Sequence, residues 1–262
     1  MKNRLLEKTG ITDPDSFDWI GYFERNRQNR RKLKFYDLEP LSRADRATIA
    51  PSMRAFAIGE ASEGNHLREC AQVYAVKSGW TEYAEIMDRF IREENDHSRL
   101  LKAFMASYQI RPSVNSGLDT VFRFLRRRAG IECETAVLVT AEMLALTYYE
   151  ALARVTNCPL LKDICRQMLH DERYHIVLQS VTLGKLNAGR PEPVREKLRN
   201  QRRLLMRATA AAVWDRYDSI FTAAGYSRGR FMASCMRTLE ESVQIEKTYQ
   251  KQEVTGADVL QK

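Results

Sequence analysis

Glu94-Asn95-Asp96-His97 and Glu172-Arg173-Tyr174-His175 each set a carboxylate three residues before an imidazole, in otherwise apolar, helix-forming surroundings. Residues three apart project from one face of an α-helix, so each segment presents an oxygen and a nitrogen ligand to a single point. Each is half of a site for a divalent metal ion. A four-helix bundle completes a two-metal site with one further Glu from each of its other two helices, which gives a rule for finding the partners.

In an antiparallel helix pair, residues at one height lie equally far from the connecting loop. The segment Lys77-Ser78-Gly79-Trp80 separates an expected helix over Ser52 to Val76 from one over Thr81 to Tyr108, and reflection of Glu94 across it lands near Glu63. A second loop at Asn157-Cys158-Pro159 separates Ile131 to Thr156 from Leu160 to Leu183, because Pro cannot continue a helix. Reflection of Glu172 lands on Glu142. The two acid pairs lie 31 and 30 residues apart, as expected for halves related by an approximate two-fold axis. The ligand set read from spacing is therefore Glu63, Glu94, His97, Glu142, Glu172 and His175.

Burial separates this reading from the ordinary one, in which a Glu-x-x-His is a solvated surface pair. Glu142 shares a stripe with Leu138, Val139, Leu146 and Tyr149, and Glu94 with Met87, Phe90, Leu101 and Met105. Glu172 stands among Met168, Leu169 and Ile176, and Glu63 shares its face with Phe56, Leu67, Cys70 and Tyr74. An ionised carboxylate in a dry core costs several kcal/mol unless a cation compensates it. Two divalent ions balance four carboxylates and leave both His neutral as ligands. Of the four His, three follow a Glu by three residues. The third case, Glu63 with His66, is read as a histidine that orients Glu63 without binding metal. Glu60, one turn before Glu63 and facing Met53, Ala57 and Leu67, is the alternative ligand from the first helix. His170 has no matching acid and is placed outside the ligand set.

The order Glu, Glu-x-x-His, Glu, Glu-x-x-His resembles the ferritin-like superfamily of carboxylate-bridged di-iron proteins, over roughly residues 50 to 183. Gly59-Glu60-Ala61-Ser62-Glu63-Gly64, Phe90 to His97 and Asp171 to His175 look like a bacterial group of ferritin-like-domain proteins. The resemblance implies an all-α fold: a four-helix bundle with a long crossover plus additional N- and C-terminal helices. It implies two iron ions as cofactor, with manganese or a mixed pair also suited to the ligands. Spacings of 30 and 31 lie closer to the oxygen-activating members than to the iron-storage ones.

With 44% apolar and 29% charged residues, the 262-residue chain is expected to fold as one globular unit in three stretches: 1–50 packing aromatics on the bundle, 51–183 the bundle, and 184–262 accessory helices. Phe17, Trp19, Tyr22 and Phe23 supply the aromatics of the first stretch. Between Ile110 and Gly130, Pro112 and Gly117 precede an expected short helix from Leu118 to Arg128, the crossover between hairpins. A long helix is expected from Pro193 to about Ala224, then an interruption at Gly225 and Gly229 and a last helix, which could cover the site or form a homodimer interface. The start lacks an apolar signal core and no stretch approaches twenty uncharged apolar residues, so a cytoplasmic protein without membrane spans is expected. Cys70, Cys133, Cys158, Cys165 and Cys235 lack C-x-x-C spacing, as fits reduced, buried thiols.

The formal net charge is +8, with basic clusters at Arg25 to Lys34, at Arg123, Arg126, Arg127 and Arg128, and at Arg199, Arg202, Arg203 and Arg207. Such a surface attracts anions. An acidic electron-donor protein, an acidic carrier holding the substrate, and RNA are the partners that charge alone allows, besides a solvated face with no partner. A tRNA-hydroxylating enzyme shares the ferritin-like di-iron fold, but the chain has no RNA-binding module, and basic clusters alone give affinity without specificity.

The chemistry implied by paired ferrous ions with open positions is activation of O2. The chain has no flavin, nicotinamide or iron-sulfur motif, so electrons are expected from an external donor. The expected function is a di-iron oxidoreductase, an oxygenase or oxidase of a small organic or carrier-bound substrate. Iron oxidation or peroxide scavenging, tRNA hydroxylation, and a metal-stabilised helical module without activity are the alternatives. Tyr148, Tyr149 and Tyr174 lie beside ligand positions, where a core tyrosine with a satisfied hydroxyl is the ordinary reading and a radical or proton carrier the functional one.

Overall fold

A computed structural model describes residues 2–36, 38–60, 64–112 and 130–257, with the backbone alone for 250–257. Among these residues the protein is all α: nine helices and no strand. They are α1 (Arg4–Thr9), α2 (Trp19–Asn29), α3 (Arg43–Gly59), α4 (Asn65–Ser78), α5 (Tyr83–Ser107), α6 (Ile131–Val155), α7 (Pro159–Asn187), α8 (Glu192–Ala223) and α9 (Arg228–Ala257). The expected crossover helix at Leu118 to Arg128 lies outside the described residues.

Local chemistry sets most of the ends. Asp18 caps α2 by accepting from the Gly21 amide, and Ser42 caps α3 by accepting from the Asp45 amide. Gly79, at φ 74°, ends α4 in the left-handed region at the expected loop, and Pro159 opens α7 at its first position. Gly225, at φ 82°, closes the gap between α8 and α9, whereas Gly229 lies inside α9.

The first expected helix, Ser52 to Val76, is two helices. Capping by Ser42 starts α3 nine residues early and carries it through Pro51, so the boundary expected at residue 50 falls inside a helix. Helix α3 ends at Gly59 and α4 starts at Asn65, after Gly64 at φ 66°. A Cβ on Gly64 would stand 2.7 Å from Ile91 Cγ2, so the backbone crosses α5 where no side chain fits.

Helices α6 and α7 form one hairpin and α4 and α5 another, and they meet where α4 packs on α6 and α5 on α7. Helix α3 packs on α5, α6 and α8; α9 covers α7 and α8; and α2 lies on α5. The apolar stripes of the ligand helices form one core: Met87, Phe90, Leu101 and Met105 from α5, and Val139, Tyr149, Met168 and Ile176 from α6 and α7, are all buried. Helix α6 is apolar and long enough to cross a membrane, yet 78% of its apolar window is buried inside the protein. It is the central core helix.

Candidate metal centre

Six side chains from four helical segments meet in the core. Glu60, Glu94, His97 and Glu172 each offer a ligand atom within 4.8 Å of the others, and so do Glu94, Glu142, Glu172 and His175. Glu94 and Glu172 belong to both groups. The two Glu-x-x-His motifs thus supply the shared carboxylates, and each imidazole joins one group: His97 with Glu60, His175 with Glu142. The rings of His97 and His175 lie 5.7 Å apart, and both are fully buried.

The inner atoms lack hydrogen-bond partners and face one another at ion-pair distance. Glu94 Oε1, His97 Nδ1, Glu142 Oε2, both Glu172 carboxylate oxygens and His175 Nδ1 are buried without a hydrogen-bond partner. His175 Nδ1 stands 3.0 Å from Glu94 Oε1, and His97 Nδ1 3.4 Å from Glu172 Oε1. A folded protein leaves few buried polar atoms unsatisfied, because each costs about 1–3 kcal/mol or more when charged. Six orphaned ligand atoms converging in two groups with shared carboxylates fit a pair of cations. The donor set of carboxylate oxygens and imidazole nitrogens, without thiolate, suits a divalent metal ion.

Outside the cluster the same residues are held firmly. His97 Nε2 pairs with Asp171 Oδ2 at 2.9 Å and His175 Nε2 with Glu93 Oε2 at 2.9 Å. An Nε2–H donated to a carboxylate fixes the tautomer that leaves Nδ1 free as a ligand. The pairing crosses between helices: Asp171, beside Glu172 on α7, holds the histidine of α5, and Glu93, beside Glu94 on α5, holds the histidine of α7. Gln179 Nε2 donates to Glu142, and the Tyr149 hydroxyl donates to Glu60 at 2.5 Å.

Without cations the cluster balances its charge with protons. Burial, reinforced by Glu172 and Glu94, pushes the Glu60 carboxyl up to about 8. Burial likewise raises Glu142 well above its usual 4.5, against the attraction of His175. Burial opposes charge on His97 and His175, yet Asp171, Glu172 and Glu60 around the first, and Glu172, Glu93 and Glu94 around the second, lift both well above 6.5. Burial works to raise Glu172, but His175 and His97 outweigh it and hold it below 4.5.

Of the residues expected from sequence, Glu94, His97, Glu142, Glu172 and His175 stand in the cluster. Glu60, the alternative from the first helix, also stands in the cluster, and Glu63 lies outside the described residues. His66 does not face the cluster: its Nδ1 is paired with Glu134, and its side chain is 39% exposed. It follows the Gly64 turn, which sets α4 off from α3 and directs His66 toward α6. His170 is half exposed and pairs with Asp171. Tyr174, half-buried, donates to the Thr9 carbonyl and stacks on Tyr22, and Tyr148 is buried and stacked on Phe56 with its hydroxyl lacking a hydrogen-bond partner. Sequence reasoning missed Glu93, Asp171, Gln179 and the Tyr149 contact. The signal for the first two was an acid immediately before each motif's Glu, which makes both motifs acid-Glu-x-x-His.

Comparison of the chain with protein families, curated proteins and solved structures gives no match. The helical fold and the buried carboxylate–histidine cluster are compatible with a ferritin-like di-iron protein.

Proposed function

We propose that the segments carrying Glu60, Glu94, Glu142 and Glu172 form a ferritin-like four-helix bundle around two iron ions, and that the protein is an O2-dependent oxidoreductase. The single observation that carries this reading is the sharing of Glu94 and Glu172 between two ligand groups whose inner atoms are orphaned. A purely structural ion needs one closed group of four ligands. Here two groups share an edge, the arrangement suited to two adjacent ions that act together.

Glu94 and Glu172, common to both groups, would help hold both ions, Glu60 with His97 would complete one group and Glu142 with His175 the other, each histidine supplying one neutral nitrogen. When bound, the ion pair supplies two electrons to O2. The protein's own part is to position and insulate. Asp171 and Glu93 lock the imidazole rings, Gln179 and Tyr149 hold the outer carboxylates through one oxygen each, and a core of Phe90, Met87, Met168 and Ile176 keeps bulk water away. The substrate is a small organic molecule or one borne on a carrier, and electrons return from an external donor.

Metal content of protein produced with iron and manganese both supplied, followed by O2 uptake of the reduced protein, tests the reading. About two ions per chain and O2 consumption that is lost in His97→Ala and His175→Ala support it. Two ions without O2 consumption would leave a metal-stabilised module, and O2 consumption coupled only to accumulation of ferric mineral would point to iron oxidation.

A further inference from the structure

Helix α2 belongs to the N-terminal stretch, outside the four segments that supply ligands, yet it reaches the atoms that hold both histidines. Asn26 Nδ2 donates to Glu93 Oε1 at 2.7 Å and to Asp171 Oδ1 at 2.8 Å. One amide nitrogen therefore ties the two carboxylates together across α5 and α7. Arg30, which ends α2, donates from Nη2 to the same Glu93 oxygen at 2.7 Å, lies 3.9 Å from Asp171 Oδ2, and binds Asp96 through Nη1. Asn26 and Arg30 are four apart and share one face with Tyr22. On the neighbouring flank Phe23 packs on the His175 ring, with centroids 6.2 Å apart.

Each bond has a definite partner atom. Glu93 uses Oε2 for His175 and Oε1 for α2, and Asp171 uses Oδ2 for His97 and Oδ1 for Asn26 and His170. The two acids are 4% and 0% exposed, so two anions lie side by side in the core and need a cation and donors to stay there. Arg30, with a side chain 16% exposed, is that cation. Removal of either α2 residue loosens the hold on these carboxylates, and with it the hold on the rings that carry the ligand nitrogens.

We propose that Asn26 and Arg30 are positioning residues of the metal centre, a clamp from the N-terminal helix that fixes both histidines at once through Glu93 and Asp171. This rests on the metal-site reading above. The N-terminal stretch is thereby part of the site's framework, and the two ion positions are joined through one side chain outside the ligand set.

The test uses the full chain, Co2+ as the probe, and the visible absorption of the bound ion as the readout, with circular dichroism of the metal-free protein as the measure of folding. Asn26→Leu and Arg30→Met should weaken Co2+ binding about 10- to 100-fold and alter the absorption bands, as expected when a carboxylate behind a ligand histidine is released. Arg30→Lys should recover much of the affinity. Arg31→Met, which breaks only the Arg31–Asp163 pair, should bind as the parent does. Unchanged affinity and bands in folded Asn26→Leu and Arg30→Met overturn the clamp while leaving the metal site standing. Should Asn26→Leu fail to fold, Asn26→Ser, which keeps a small polar side chain, gives the same comparison. A parent protein that takes up no Co2+, Fe2+ or Mn2+ overturns the metal-site reading, and the clamp with it.

Discussion

Glu60 and Glu142 sit at opposite ends of the cluster, and burial holds both in the neutral form where an exposed glutamate would be ionised. Bound cations replace those protons and the ones on His97 and His175, so metal uptake must release protons. Affinity for Fe2+ or Mn2+ should rise steeply from pH 6 toward pH 8, near the value to which Glu60 is raised, with proton release detectable in weak buffer. Affinity independent of pH over that range would show that the acids are already ionised. The same shifts set the stability of the metal-free protein in the opposite sense. Groups raised on folding stabilise below their ordinary values, 4.5 for the two glutamates and 6.5 for the histidines, and lose that contribution as pH rises through their folded values. Metal-free protein should therefore melt at a lower temperature at pH 8 than at pH 6. Among the proposed ligands, Glu142→Ala and Glu172→Ala should lower bound metal in different ways. Loss of Glu142 empties one position, while loss of the shared Glu172 disturbs both, and elemental analysis of the two variants reads the difference. Glu60→Ala should act as Glu142→Ala does, whereas Glu63→Ala tests the acid that reflection across the first loop selects.

At the level of helices, the break between α3 and α4 is the feature that spacing alone misplaced. Symmetry about the Gly79 turn assumed one continuous helix, and on a continuous helix Glu63 stands level with Glu94. Gly64 in the left-handed region interrupts the rise, and Glu60, just past the end of α3, stands in the cluster, while Glu63 lies outside the described residues. The second hairpin has no such break, and Glu142, the acid that reflection of Glu172 selects, stands in the cluster. Its ends were legible to within a few residues because Gly130, the Thr156 to Cys158 turn and Pro159 punctuate the pattern. The Glu93 and Asp171 contacts were not legible, since which histidine an acid meets depends on how α5 and α7 face each other. Neither was the clamp, because Asn26 and Arg30 read as polar residues in a basic run. Gly64 itself is testable. Alanine there must adopt φ 66° and place a Cβ 2.7 Å from Ile91, at a cost of about 1–3 kcal/mol by denaturant unfolding. Loss of metal in Gly64→Ala beyond that of an equally destabilised core variant would link the turn to the placement of Glu60.

The whole molecule carries +8, but much of its basic sequence is spent internally. Arg25, Arg27, Arg30 and Arg31 pair with Asp18, Glu24, Glu93 and Asp163, and Arg199, Arg202 and Arg203 pair with carboxylates of α8 and α9. A cavity of about 290 Å³ between α6, α7, α8 and α9, with Arg195, Arg199 and Arg202 in its lining, shares no residue with the metal cluster. Among the described residues these arginines are already engaged by carboxylates, and the net +8 acts only as a diffuse field, so weak, strongly salt-dependent nucleic-acid binding is expected, without preference for a sequence. The larger energetic question is what compensates the acids in the core. Burial raises Glu60 to about 8 and Glu142 well above 4.5, so protons can compensate these two acids where bound cations would otherwise do so, inside the core that α3 through α9 share. An ion at 100 times its dissociation constant adds about 2.7 kcal/mol, and in chains of this size each kcal/mol moves the melting temperature by roughly 2–4 °C. Removal of metal by a chelator should therefore lower the melting temperature by roughly 5–10 °C at pH 7. The drop should widen toward pH 8.5, above the value to which Glu60 is raised, and narrow toward pH 6. Equal melting temperatures with and without chelator at pH 8.5 would mean that something other than a bound cation balances Glu60, Glu94, Glu142 and Glu172.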